Sequence, residues 1–381
     1  MLALSTTRVA ILGEITKRPS PRKSGTAVSM ARLANALAAE GVAVDLVVRE
    51  LNCFDAIPEP PRPPVRVVAL QARSKQMLLI KLLGYLLKNK PSHLIARENR
   101  AIQVALWAKR LLGKRIKVWP AFHSELNLRI EPTGRLARVK LNRVARVVGL
   151  ADGVITVSAG LAAQFRKLSG ADDKSLHVIP NPVVSPNLYA QLSIPAELPP
   201  WTGVTLLAIG RLTEGKGYST LLEAFASVKA KLNKPVRLVI LGEGAEKQRL
   251  LAQAKSLGVE NDFLLPGYVR NPASYLATAD LFVLSSAYEG FPNVLAEALA
   301  LGTPVVSTDC PHGPREILED GRYGPLVPVG DADSLAAAIV ATLANPLPKE
   351  QLKARGQVFS AQASALGYMR ALGIESTSPE A

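Results

Sequence analysis

Ala279-Asp-Leu-Phe-Val-Leu-Ser-Ser-Ala-Tyr-Glu-Gly-Phe-Pro-Asn-Val-Leu-Ala-Glu-Ala-Leu-Ala-Leu-Gly-Thr-Pro304 decides the fold. Leu281 to Leu284 is a short apolar run of the kind that forms a buried parallel strand. Ser285 to Asn293 is a turn-rich loop containing Gly290 and Pro292. Asn293 is a residue type that caps helices, an apolar helix follows it, and Gly302-Thr303-Pro304 stops that helix. Strand, loop and helix N-terminus together present free backbone N–H groups to an anion. Two carboxylates stand there, Glu289 in the loop and Glu297 one turn into the helix. Carboxylates repel phosphate, so these two are suited to sugar and ribose hydroxyls, and a phosphate needs cations from elsewhere.

The same grammar extends outward in both directions. Upstream, apolar runs at Val9–Leu12, Gly41–Val48, Val65–Leu70, His93–Ala96, Ile116–Trp119, Gly153–Val157 and His177–Ile179 alternate with helical stretches. Downstream, runs at Thr205–Ile209, Arg237–Leu241, Phe263–Leu265 and Val305–Val306 do the same. Alternation of this kind predicts an α/β fold with two doubly wound, Rossmann-like domains facing an interdomain cleft. Six prolines between Pro180 and Pro200 mark the boundary. The expected division is residues 1–185, a linker over 186–200, residues 201–358, and a C-terminal helix in 359–381 packing back toward the first domain.

A chain of 381 residues is long enough for two full cores, and 48% hydrophobic against 20% charged residues excludes a disordered chain. Cys53 and Cys310 are the only cysteines, too few for a disulfide framework, and four histidines without paired spacing argue against a zinc site. The net charge of +15 is uneven. Residues 1–190 hold 30 Lys and Arg against 12 Asp and Glu, a net +18, whereas the remainder holds 16 against 19, a net −3. The first half therefore meets an anionic partner. At 5% aromatic residues the chain is poorly equipped to stack on bases, so an anionic membrane surface is favoured over nucleic acid. No secretory leader or spanning run is evident, so the expected location is cytoplasmic and peripheral at the inner membrane face. Lys75 to Lys90 reads either as a core helix with snorkelling lysines or as an interfacial helix seated in anionic lipid. Arg135, Arg138, Arg143 and Arg146 form a second basic helical stretch.

Gly210-Arg-Leu-Thr-Glu-Gly-Lys-Gly217 follows a strand and precedes a helix, placing Arg211 and Lys216 one loop apart. Opposed to Glu289 and Glu297, these cations suit a diphosphate flanked by hydroxyls. The loop is not a P-loop, and Gly242-Glu243-Gly244 lacks the third glycine of a dinucleotide fingerprint. Asp331-Ala-Asp333 lies at a helix start and reads as a cap rather than a metal motif.

Taken in order, Arg211 and Lys216, Gly242-x-Gly244, Pro266-Gly267-Tyr268, and Glu289-Gly290-Phe291-Pro292 with Glu297 resemble the retaining glycosyltransferases of family 4, with the GT-B fold. Gly313-Pro-Arg-Glu-Ile-Leu318 and, upstream, Ala151 to Ser158 and Val178 to Val183 are similar to the same family. The resemblance implies that the first domain binds the acceptor and the second the nucleotide sugar. It assigns Arg211 and Lys216 to the donor diphosphate, Glu297 to ribose, and Glu289 and His123 to the donor sugar. It gives the backbone at Gly210, Gly290, Phe291, Pro292, Asn293 and Val294 to the sugar and phosphate, and Gly267, Tyr268 and Val269 to the base. Gly25 stands where family members commonly carry a Gly-Gly pair; here the segment is Ser24-Gly25-Thr26.

The implied activity is a retaining, metal-independent transfer of a hexose from a nucleotide sugar, with UDP as the expected nucleotide and no cofactor. The acceptor would be a saccharide or lipid-linked molecule in cell-surface polysaccharide or lipopolysaccharide synthesis. The competing readings are a nucleotide-sugar epimerase or sugar phosphorylase on the same plan, or a non-catalytic module binding phosphate or a membrane surface.

Overall fold

The computed structural model describes residues 7–13, 24–50, 54, 57, 59–123, 147, 149–170, 172 and 175–375. The expected basic helix around Arg135–Arg146, the loop 14–23 and Cys53 lie outside them. The chain forms two compact units, Met1–Pro182 with Ala361–Ala381, and Val183–Ser360.

In the first unit, strands β1 (Arg8–Gly13), β2 (Ala43–Val48), β3 (Arg66–Ala69), β4 (His93–Arg97), β5 (Lys117–Phe122), β6 (Val154–Thr156) and β7 (Leu176–Val178) alternate with helices α1 (Ser24–Ala39), α2 (Lys75–Asn89), α3 (Asn99–Leu112) and α4 (Ala159–Ser169). All pair in parallel, in the order β3-β2-β1-β4-β5-β6-β7. β1 and β4 are the neighbours at which the order reverses, with Leu12 beside Ala96. Such a reversal sends successive helices to opposite faces and opens a crevice at the carboxyl ends of the strands.

The second unit repeats the plan. It holds α5 (Pro186–Ala190), β8 (Val204–Ile209), α6 (Tyr218–Lys231), β9 (Val236–Leu241), α7 (Lys247–Ser256), β10 (Phe263–Gly267), α8 (Pro272–Thr278), β11 (Leu281–Leu284), α9 (Asn293–Leu301), β12 (Val305–Thr308), α10 (Pro314–Ile317), β13 (Leu326–Val327), α11 (Ala332–Ala344) and α12 (Lys349–Gln357). The strand order is β10-β9-β8-β11-β12-β13, with the reversal between β8 and β11. Leu206, Leu238, Ile240, Leu281, Val283 and Val306 fill its core against Leu221, Leu222 and Phe225 of α6. The last helix, α13 (Ala361–Leu372), returns to the first unit, where Ala365, Tyr368, Met369 and Leu372 join the core that also holds Met30, Ala34 and Leu37 of α1.

Three local readings change on the structure. Residues 186–200, proline-rich like a linker, hold α5 and lie against the second unit, with Ser274 Oγ donating to Gln191 O (2.7 Å) and Arg237 Nη1 to Pro199 O (2.8 Å). The boundary between the units falls just before them. Asn293 is not the helix cap. Pro292, at ψ 87°, holds that position, and its carbonyl accepts from Leu295 N. Lys75 to Lys90 has an inner stripe in the core (Leu78, Leu82, Tyr85, Leu86) and an outer stripe that is exposed. Two readings agree with the structure. Gly302 ends α9 in the left-handed region at φ 77°, and the Asp331 carboxylate caps α11 by accepting from Ser334 N.

The helix α9 that carries Asn293 and Glu297 is seated by a glycine. A Cβ on Gly356 of α12 would come within 2.3 Å of Ala300 Cα and N, so the two helices touch through bare backbone. Gly356→Ala is expected to force them apart, with an overpacking cost of about 1–3 kcal/mol. A thermal melt that matched the wild type would show the contact to be soft.

Candidate functional site

The residues that matter in the second unit converge on its strand-order reversal. The loop after β8 begins at Gly210, whose N–H bonds Leu241 O (2.9 Å), and Glu214–Lys216 forms a single 3-10 turn that ends at Gly217. Gly217 has φ 64°, and a Cβ there would lie 2.0 Å from Ser285 O, so only glycine lets this turn lean on the loop after β11. The two loops are stitched together by Ala287 N to Gly215 O (2.9 Å) and Ser285 Oγ to Lys216 O (2.8 Å). Lys216 Nζ thereby reaches across the reversal and donates to Glu289 Oε1 at 2.5 Å, and Ser286 Oγ donates to the same oxygen at 2.7 Å.

The expected positions divide accordingly. Lys216 and Glu289 are brought into direct contact, so in the free chain the carboxylate holds the lysine instead of lying opposite it. Arg211 is exposed on the same loop. Gly290 and Asn293, Val294 and Glu297 of the α9 N-terminus are half-buried, while Phe291 and Pro292 are buried, Phe291 packing edge-on against Phe359. Gly267 ends β10 and accepts through its carbonyl from Gly242 N (2.8 Å); Tyr268 is exposed and Val269 half-buried beside it.

Sequence reasoning missed two neighbours of Glu289. Tyr218, first residue of α6, buries its hydroxyl with no partner among the described residues; burial and then the Glu289 charge push its pKa up, so it stays an O–H donor. Cys310 is pushed up to about 12 by burial and then by Glu289, which leaves its thiol protonated and inert. Among the described residues no three His, Cys, Asp or Glu side chains gather as a metal site would need.

The first unit holds the remaining two expected positions. Gly25 lies in the first turn of α1. His123 follows β5, and its Nδ1 lies 3.0 Å from Arg97 Nη2 and 2.7 Å from Asn181 Oδ1. The guanidinium only donates and this oxygen only accepts, so either ring tautomer serves one of them and not the other. Burial, and then the Arg97 charge, hold His123 well below the usual imidazole range.

Comparison with known proteins bears on the family and the fold. Residues 194–358 match the family described as Glycosyl transferases group 1, and residues 23–185 match Glycosyltransferase Family 4. A Campylobacter jejuni N-acetylgalactosamine-N,N'-diacetylbacillosaminyl-diphospho-undecaprenol 4-alpha-N-acetylgalactosaminyltransferase is 43% identical over 130 residues, 34% of each chain. The Rhizobium meliloti lipopolysaccharide core biosynthesis glycosyltransferase LpsE is 36% identical over 188 residues, 48% of this chain and 52% of that one. These matches span about a third to a half of those relatives' lengths. Anabaena HepE, solved in complex with UDP, superposes with a TM-score of 0.71 over 96% of this chain and 99% of its own, at 18% identity, which shows a shared fold.

The buried imidazole makes a pH prediction. His123 stays neutral in the folded chain below about pH 6.5, where an unfolded histidine takes up a proton. The unfolded state then binds more protons, so stability falls as pH drops through that value. Between pH 7.5 and 5.5 the wild type is expected to lose more melting temperature than His123→Gln. Equal losses would mean that the folded ring protonates freely.

Proposed function

We propose a function from one premise: the chain belongs to the group 1 and family 4 glycosyltransferases of GT-B fold. It transfers a hexose from a nucleotide diphosphate sugar, with UDP as the nucleotide, to a saccharide or lipid-linked acceptor in cell-surface polysaccharide or lipopolysaccharide synthesis. The observation that carries this reading is Lys216 spanning the strand-order reversal of the second unit beside the N-terminus of α9. A departing diphosphate gathers charge as the glycosidic bond breaks. An ordered lysine, Arg211 on the same loop and the amides opening α9 stabilise that charge without solvent reorganisation.

In this reading Lys216 exchanges the Glu289 carboxylate for a phosphate oxygen, and Glu289 turns to a hydroxyl of the donor sugar. Glu297 takes the ribose and the Gly267–Val269 backbone takes the base. Retention of configuration and independence from metal belong to the proposal, as do UDP and the absence of a cofactor.

The acceptor side adds a membrane surface, and two helices of the first unit support it. On α2, Met77, Ile80 and Leu87 share one exposed stripe, with Ile80 69% accessible and Lys81 and Lys88 alongside. On α3, Trp107 and Leu111 are exposed, Leu111 at 65%, and Lys75 Nζ sits 4.3 Å over the Trp107 ring. Exposed apolar side chains flanked by lysines fit a helix pair lying on anionic lipid, which we place at the cytoplasmic face; no helix among the described residues is long and apolar enough to cross a membrane.

Two experiments test the two parts. Among UDP-, GDP- and ADP-sugars, the UDP compounds are expected to raise the melting temperature and support transfer. Lys216→Ala is expected to lower turnover by on the order of 10²-fold or more, and near-normal turnover would remove the lysine from the diphosphate. Binding to vesicles is expected to need anionic lipid, to weaken with salt, and to weaken again in an Ile80→Asn, Leu87→Asn double variant. Salt-insensitive binding to neutral vesicles would overturn the membrane reading.

A further inference from the structure

Arg97 is the last residue of β4, at the carboxyl end of the strand beside β1, which is where the sheet of the first unit reverses its order. It is among the largest fully buried side chains of the protein, 1% exposed. Its Nη2 donates to Ser29 Oγ of α1 (3.0 Å) and lies 3.0 Å from His123 Nδ1. Its Nε and Nη1 are buried and bond nothing among the described residues, and the same holds for His123 Nε2.

A guanidinium keeps its charge at any working pH, so this is a cation removed from water whose own N–H groups are half unsatisfied. Buried charges are ordinarily paired, and an unpaired one costs several kcal/mol. The counterpart in the second unit shows the ordinary solution: Lys216, at the equivalent reversal, has Glu289 on it. Tyr368 and then Glu98 favour the Arg97 charge electrostatically, but neither hydrogen-bonds its Nε or its Nη1. The same spot holds the second unresolved demand, an imidazole nitrogen facing one group that only donates and one that only accepts. His123 is half-buried as a residue, while its Nε2, like Arg97 Nε and Nη1, is itself buried.

We infer that Arg97, with His123, is a binding site for an oxyanion carried by the acceptor. An oxyanion on Nε and Nη1 supplies the missing charge and fills both donors in the fork geometry a guanidinium offers. It also draws Arg97 away from the ring, leaving Nδ1–H to donate to Asn181 and Nε2 as an acceptor for a neighbouring hydroxyl. The inference rests on the glycosyltransferase reading in one respect: the donor's diphosphate already has cations in the second unit, so the anion in the first belongs to the other substrate. Two sources share this chemistry, a phosphate linking the acceptor to its lipid and the carboxylate of an acidic sugar.

The test uses the full chain carrying Lys216→Ala and Arg211→Ala, which remove the competing cations, with inorganic phosphate and acetate as probes in thermal shift and calorimetry. Phosphate or acetate is expected to bind, and Arg97→Met is expected to weaken that binding at least tenfold, while Arg97→Lys keeps part of it. The stronger probe identifies the source. Without ligand, Arg97→Met is expected to melt higher than its parent, because it removes an unpaired buried charge; a residue serving only structure would melt lower when replaced. In the otherwise wild-type chain, Arg97→Met is expected to leave the affinity for UDP unchanged. Unchanged anion affinity, or a variant that melts lower and binds phosphate as before, overturns the site. Loss of UDP binding in Arg97→Met overturns its assignment to the acceptor. Failure of UDP to bind the wild type at all, with phosphate binding intact, would instead sink the donor reading and leave the anion site standing.

Discussion

A parallel sheet whose strand order reverses in the middle cannot close its own carboxyl edge. On either side of the reversal the chain leaves toward opposite faces, so no backbone crosses the gap and the side chains there answer to one another or to a ligand. Both units meet this constraint, at β1 and β4 in the first and at β8 and β11 in the second. Both place a cation on it. Among the described residues the candidate site features gather at those two edges: the interlocked loops 210–217 and 285–292, the seated helix α9, and the Arg97–His123–Asn181 cluster.

Much of this was legible because the deciding features are local. Leu281–Leu284, Gly302 and Asp331 announce a strand, a stop and a cap through side-chain chemistry alone, and the structure uses each that way. Asn293 misled for a local reason too. Asparagine favours the cap position, but Pro292 already supplies a non-helical residue whose carbonyl opens the helix and whose missing N–H leaves no donor orphaned. The prolines of 186–200 likewise marked a change of unit but not its looseness, since backbone carbonyls in that stretch accept hydrogen bonds from Ser274, Asn271 and Arg237.

What stayed hidden depends on register and on distance along the chain. Arg97 stands in the sequence among Glu98, Asn99 and Arg100, where polar company reads as surface; the folded unit buries it against Ser29 of α1 and His123 after β5. The signal that was available is its place directly after an apolar strand run, at the edge where such sheets bind ligands. The Lys216–Glu289 bond joins residues 73 apart, and no spacing rule reaches that far. Tyr218 and Cys310 were invisible for the same reason, each being shifted first by burial in the folded unit and then by the Glu289 charge.

The two edges differ in what a ligand must displace. Lys216 is already compensated, so an arriving anion exchanges with Glu289 and gains only the difference between two partners, while the lysine is held in place beforehand and little side-chain freedom is lost on binding. Such an edge favours a ligand that brings more charge than a carboxylate does, as a diphosphate would, and Glu289 remains at hand to take the lysine back when that ligand leaves. Arg97 Nε and Nη1 bond nothing among the described residues, so an anion at the proposed site would displace no hydrogen bond from them. On the proposed reading the same fold element would support exchange in one unit and capture in the other, and the difference comes down to a carboxylate at residue 289 with no equivalent hydrogen-bonded to Arg97 Nε or Nη1 among the described residues.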